Sequence, residues 1–196
     1  GVEGRKGSLG SYYSVRDYCA VDPCLGTMED FDAFVAEAHR LGMKVLLDWV
    51  ANHTARDARW VTEKPASWYE RDASGAPAVP WDWTDTAKLN YAEREVWRAQ
   101  GDAMEFWVRE HGVDGFRCDM AMLVPIEFWN ETAQRLRRVK PDLFMLAEAE
   151  ETYLFDGGAF DACYAWEMHH LMNDVAQQRV RVTSLRDYIY ADRRRY

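Results

Sequence analysis

Three short apolar runs, each ending at a carboxylate, constrain this chain more than any other feature. Lys44-Val45-Leu46-Leu47 leads to Asp48. Val113-Asp114-Gly115-Phe116-Arg117-Cys118 leads to Asp119, and Leu143-Phe144-Met145-Leu146-Ala147 leads to Glu148. Runs of this length, bounded by turn or helix signals, read as buried strands. The stretches between them have helical spacing, which implies parallel strands joined by right-handed crossovers. Parallel strands end on the same side, so the three acids gather at one mouth, where α/β proteins place their chemistry.

A chain of 196 residues with 48% hydrophobic and 29% charged residues suits one soluble domain with a real core. The net charge of −9 argues against nucleic acid as a partner, because no basic face is available to neutralise phosphates. The basic cluster Arg193-Arg194-Arg195 reads as a helix end meeting its dipole. No apolar stretch reaches membrane-spanning length, so no membrane partner is expected. No signal peptide is visible and the first residue is not Met, so the compartment, cytoplasmic or secreted, stays open. Cys19, Cys24, Cys118 and Cys163 lack metal-ligand spacing. Cys118 reads as a buried thiol, and Cys19 and Cys24 are close enough in sequence to pair.

Residues 1–10 read as a Gly-rich loop and Tyr12 to Tyr18 as the tail of a strand. Thr27 with Asp30 forms a capping box for a helix that Gly42 ends. The Asp48 strand follows. From Thr54 to Trp83 the chain is rich in Pro, Gly, Ser and Asp, too long for an ordinary connection and hence a functional excursion. It holds Trp60, Trp68, Tyr69, Trp81 and Trp83. Such rings either stack on sugar faces or pin the loop to the domain, and the sequence favours neither. Asn90 with Glu93 opens a helix that Gly112 stops, ahead of the Asp119 strand. Pro125 starts another, ending near Val139, ahead of the Glu148 strand. A short strand near Cys163 to Ala165, a helix over 167–178 and a last helix from Thr183 complete the alternation.

Carboxylates at the ends of strands ~4.8 Å apart can approach ~5–5.5 Å, the spacing of a retaining glycosidase pair. Arg117 lies two residues before Asp119, on the same side of the strand. Its charge is expected to lower the Asp119 pKa and keep a nucleophile anionic. Phe144, Met145 and Leu146 are expected to give Glu148 a drier setting that favours a protonated acid. A buried Arg117–Asp119 ion pair is the plain structural alternative. A metal-dependent barrel lyase, with the acids holding Mg²⁺, is another, although Arg117 repels a metal. His53 can bond a substrate hydroxyl and Asn52 can tether the long loop. Glu167, His169 and His170 have the wrong spacing for two ligands on one helix face.

Together these segments resemble the α-amylase family, glycoside hydrolase family 13. Asp48-Trp49-Val50-Ala51-Asn52-His53 resembles its first signature, Gly115-Phe116-Arg117-Cys118-Asp119 its second and Leu146-Ala147-Glu148-Ala149 its third. Tyr13-Ser14-Val15-Arg16-Asp17-Tyr18 is similar to the segment ending the family's second barrel strand. The resemblance implies an α/β fold, part of a (β/α)8 TIM barrel covering about strands 2–6. Residues 1–53 and 91–196 would be barrel parts, and residues 54–90 a small loop domain after strand 3. It implies retaining hydrolysis of α-linked glucans or maltooligosaccharides by double displacement. Asp119 would be nucleophile and Glu148 general acid/base. Arg117 would hold Asp119, Asp48 would be structural, bonded to Arg117, and Tyr13 and His53 would line the first subsite. A non-catalytic carbohydrate-binding relative is the remaining alternative.

Three departures from the family pattern set further expectations. The fourth signature, a His-Asp pair after strand seven, does not occur before Tyr196, so this chain alone is expected to be nearly inactive. Lys88 stands where the family offers an Asp to Ca²⁺, so an ammonium is expected to fill that place beside Asn52, with no metal or other cofactor. Met122-Leu123 replaces the Lys-His of many starch-cleaving members, leaving α-glucosidase, cyclomaltodextrinase-like and transglycosylating types open.

Overall fold

The computed structural model of the chain describes residues 10–192. The cluster Arg193-Arg194-Arg195 and nearly all of the opening loop lie outside them. In chain order the elements are α1 (Met28–Arg40), β1 (Leu46–Trp49), β2 (His53–Ala55), α2 (Arg59–Glu63), β3 (Thr86–Lys88), α3 (Arg94–His111), β4 (Gly115–Cys118), α4 (Ile126–Val139), β5 (Phe144–Ala147), β6 (Ala162–Cys163), α5 (Trp166–Ala176) and α6 (Thr183–Asp192).

β1, β4, β5 and β6 form one parallel sheet in that order, as crossover helices between consecutive strands require. The strands run level. Asp48 stands beside Arg117, Arg117 beside Leu146 and Leu146 beside Ala162. Pairing continues past the strand ends: Asp119 N donates to Trp49 O at 2.9 Å, Glu148 N to Cys118 O at 3.0 Å and Tyr164 N to Ala147 O at 3.1 Å. Three successive strands therefore deliver Asp119, Glu148 and Tyr164 to one rim. Gly115 allows this close register, since a Cβ there would stand 1.9 Å from the Phe144 carbonyl oxygen.

The opposite face of the sheet carries the core. Trp49, Phe116, Cys118, Met145 and Ala147 bury against Met104 and Trp107 of α3 and Phe128, Trp129 and Leu136 of α4. Each of the larger aliphatic and phenyl side chains contributes roughly 1.5–3 kcal/mol on burial. Trp129→Ala would cost about 3–5 kcal/mol, because the cavity cannot close. At the far end of the sheet the Asp114 carboxylate accepts from Val45 N (2.9 Å), Lys140 Nζ (2.8 Å), His39 Nε2 (2.7 Å) and Lys44 Nζ (3.1 Å). Burial works against its charge, but these partners outweigh it and hold the carboxyl well below the usual carboxylate range.

α1 begins with the expected capping box: Thr27 N donates to Asp30 Oδ2 at 2.9 Å, and Asp30 N to Thr27 Oγ1 at 3.2 Å. Gly42 and Gly112 follow α1 and α3 with φ of 76° and 68°, where a side chain would be strained. Asn90 does not cap α3. Glu93 is the N-cap, without a side-chain bond, because the Asn90 side chain serves Ala92 N and Ser67 O. Tyr12 to Tyr18 is not a strand either. Its backbone turns on Ser11, whose carbonyl and hydroxyl take the Ser14 and Tyr13 N–H groups.

β2 and β3 pair antiparallel, His53 opposite Lys88, and close the long excursion at its base. Trp68, Tyr69, Ala87 and Leu89 form a small core with Val96 of α3, and the Trp60 ring meets Tyr18 at 5.0 Å and Trp68 at 5.4 Å. Cys19 and Cys24 are exposed free thiols, so the suggested pairing does not form, while Cys118 is buried. No described helix is long and apolar enough to cross a membrane.

Candidate active site

At the rim, one guanidinium meets three carboxylates. Arg117 Nη1 donates to Asp48 Oδ1 at 2.7 Å and to Asp119 Oδ1 at 2.9 Å, and Nη2 lies 2.7 Å from Glu148 Oε1. β1, β4 and β5 each supply an acid, and the alternation of side chains puts Arg117 on their face of the sheet. Arg117 Nε donates to the Tyr164 hydroxyl at 3.0 Å. Burial opposes the guanidinium charge, but Tyr164 and the acids outweigh it and keep the group charged.

Three carboxylates around one cation leave negative charge in excess, which favours protonation of a buried member of the group. Asp119 is only 7% exposed. Burial raises its pKa to about 6; the neighbouring Glu148 acts the same way, and Arg117 only partly opposes them. Arg117 does depress it, as expected, but the net pKa rises instead of falling. Desolvation is the larger effect, and Arg117 is shared among three acids. Glu148 is held at both oxygens. Its Oε1 lies on Arg117 and its Oε2 accepts from Met120 N at 2.9 Å. Met120 has φ 41°, a left-handed conformation unusual for a side-chain-bearing residue, immediately after Asp119.

Tyr13 leans over this cluster. Its hydroxyl donates to Asp48 Oδ2 at 3.1 Å, and its ring lies 5.7 Å from the Arg117 guanidinium carbon. His53 is 2% exposed, with Nε2 3.2 Å from the Tyr13 carbonyl oxygen and Nδ1 3.2 Å from Asn52 Nδ2. A carbonyl accepts and an amide NH₂ donates, so His53 is a neutral Nε2–H tautomer. Burial pushes its pKa down to about 4. His53 thus holds the Tyr13 backbone instead of offering a ring nitrogen to the rim. Asn52 tethers the excursion, its carbonyl accepting from Leu89 N at 3.1 Å.

Lys88 does not fill a place on Asn52. Its Nζ pairs with Glu70 Oε1 at 2.8 Å, while the Asn52 amide is spent on His53. An ammonium standing where a carboxylate would serve a divalent cation removes one oxygen ligand from that place. His169 bonds Asn173 along α5, and no group of three His, Cys, Asp or Glu among the described residues is arranged to hold a metal ion.

The aromatic residues of the excursion divide. Trp68 and Tyr69 are buried and pin the loop, whereas Trp81 is 65% exposed and packs its ring 4.7 Å from Trp83. Sequence reasoning passed over Tyr164 and the Met120 N–H. Tyr164 follows a strand of only two residues, too short to show a period that would place its side chain on the rim.

The family model for the α-amylase catalytic domain matches residues 8–84 and 79–192. A maltogenic α-amylase from Thermotoga neapolitana superposes with a TM-score of 0.90 and 37% identity, over 100% of this chain and 45% of that one. Alpha-amylase 3 of Dictyoglomus thermophilum is 32% identical over 69% of this chain and 32% of its own length. An α-1,4-glucan:maltose-1-phosphate maltosyltransferase from Arcanobacterium haemolyticum is 35% identical over 73% of this chain and 22% of its own. The chain thus spans a third or less of the length of these two curated relatives.

Proposed function

Because the chain belongs to the α-amylase catalytic-domain family, we propose that its rim is the catalytic centre of a retaining glycosidase acting on α-linked glucans. The observation that carries the reading is the Arg117 fork, which holds Asp119 and Glu148 on one guanidinium. A retaining mechanism needs one anionic and one protonated carboxyl close together, and the raised Asp119 pKa favours a proton shared by the pair over two free acids.

In the first step Asp119 attacks the anomeric carbon as the glycosidic C–O bond breaks. Glu148 delivers its proton to the departing oxygen. The product is a glycosyl ester of Asp119 and a free sugar hydroxyl. In the second step Glu148 takes a proton from an acceptor hydroxyl, whose oxygen attacks the anomeric carbon and frees Asp119. With water as acceptor the sum is one bond hydrolysed with configuration retained. With a sugar hydroxyl as acceptor it is transfer. Arg117 stabilises negative charge on both acids, and Asp48 with Tyr164 fixes its orientation. Tyr13 offers a ring face to the sugar.

Incubation with 5-fluoro-α-D-glucosyl fluoride tests this, on the 196-residue chain and on the longest natural chain that includes it. The expected result is an intact-mass adduct that maps to Asp119 and is absent from Asp119→Asn. An adduct elsewhere, or none on either folded form, would overturn the reading.

A further inference from the structure

We propose that Trp81, backed by Trp83, is a stacking platform for a glucosyl unit lying beyond the reacting one, so that it sets preference for longer α-glucan chains. The proposal rests on the α-glucan reading above.

Four observations point to it. Trp81 is the most exposed tryptophan of the excursion, at 65%, so its ring adds little to the core. It occupies the first central position of a turn closed by Trp83 N donating to Pro80 O at 3.1 Å, with φ 49°. Glycine or asparagine is the ordinary choice there, and a tryptophan is strained. Strain kept at an exposed position points to a use for the side chain. Contacts also run unbroken from this ring to the acids. The Trp81 ring lies 4.7 Å from Trp83, and Trp83 lies 5.3 Å from His53. His53 holds the Tyr13 carbonyl, and Tyr13 holds Asp48. Finally, the Trp81 and Trp83 planes meet at 51°, so Trp83 supports the platform without covering it face to face. An indole face presented to solvent at the edge of a polar rim suits the C–H face of a pyranose.

Calorimetric titration of the 196-residue chain with maltoheptaose, for wild type, Trp81→Gly and Trp81→Phe, tests the proposal. Glycine is at ease at φ 49°, so Trp81→Gly should keep the melting temperature of wild type while binding maltoheptaose about tenfold more weakly. Trp81→Phe should recover most of the affinity. In the longest natural chain, KM for maltoheptaose should rise by the same factor with kcat unchanged. Equal binding by wild type and Trp81→Gly overturns the platform and leaves the glycosidase reading standing. A Trp81→Gly chain that loses stability along with binding overturns it too, in favour of a packing role. A folded wild type that binds no maltooligosaccharide overturns both.

Discussion

Arg117 Nε donates to the Tyr164 hydroxyl at 3.0 Å, while the two terminal nitrogens serve Asp48, Asp119 and Glu148. The Tyr164 ring also stands 5.5 Å from the guanidinium carbon. A planar cation gripped at Nε cannot swing toward one acid at the expense of another. Tyr164→Phe keeps the ring and deletes the acceptor. A hydrogen bond to a charged group is worth about 1.5–3 kcal/mol, so kcat should fall at least about tenfold. KM and melting temperature should change little. Steady-state kinetics with a maltooligosaccharide read this directly, and an unchanged kcat would mean that the acids alone orient Arg117.

The proton held by the Asp119–Glu148 pair predicts a pH profile. Burial raises the pKa of Asp119 to about 6, and the proton belongs to the pair as a whole. Below that pH the pair carries the one proton that the leaving oxygen needs. Above it both carboxyls ionise and the general acid is lost. The basic limb of kcat/KM should therefore fall from about pH 6. A substrate that needs no protonation on leaving, such as α-glucosyl fluoride, should show no such limb in the glycosylation step. A limb of equal strength with both substrates would place the titration elsewhere.

The acids were legible because each closes a run long enough to show a pattern, and because parallel strands share a direction. Tyr164 was not, since β6 spans only Ala162–Cys163 and two residues show no period. Nor was Met120, whose N–H reaches Glu148 through a φ of 41° that its residue type does not announce. Tyr12 to Tyr18 alternates like a strand, yet Ser11 captured its hydrogen bonds. The pKa of Asp119 was misjudged because sequence spacing reveals the nearby arginine but not the burial, nor the two other acids that share it. The partners of His53 were not legible either: its ring nitrogens meet the Tyr13 carbonyl and the Asn52 amide, contacts made across the fold that sequence spacing does not show.

Stability independent of calcium is expected at the base of the excursion. Lys88 brings an ammonium, paired with Glu70, in place of a carboxylate, so a divalent cation there would lack one oxygen ligand and meet a positive charge nearby. Thermal melts with EDTA and with millimolar Ca²⁺ should coincide. Lys88→Asp should restore a dependence, read as a Ca²⁺-induced rise in melting temperature. A calcium-stabilised wild type would contradict this account of Lys88.

His53 and Asp119 should pull the pH dependence of stability in opposite directions. Burial lowers the folded pKa of His53 to about 4 from its ordinary 6.5. On acidification the unfolded chain takes up this proton first. Stability therefore falls between pH 6.5 and 4 by up to about 3 kcal/mol and levels off below. Asp119 behaves inversely. The folded chain keeps its proton up to about pH 6, whereas the unfolded chain loses it near 3.8. Stability falls as pH rises through that window, by a similar amount. Between pH 4 and 6 the two nearly cancel, so wild type should be flat there by urea denaturation. Asp119→Asn removes one arm. It should be more stable than wild type by about 1–3 kcal/mol at pH 7, the usual stability gain when a strained functional group is neutralised. It should also lose stability steeply below pH 6, where His53 acts unopposed. His53→Gln should do the reverse, with stability rising on acidification to pH 4. An Asp119→Asn protein that tracks wild type at every pH would mean that burial does not raise the Asp119 pKa, and the basic limb of kcat/KM would then need another owner.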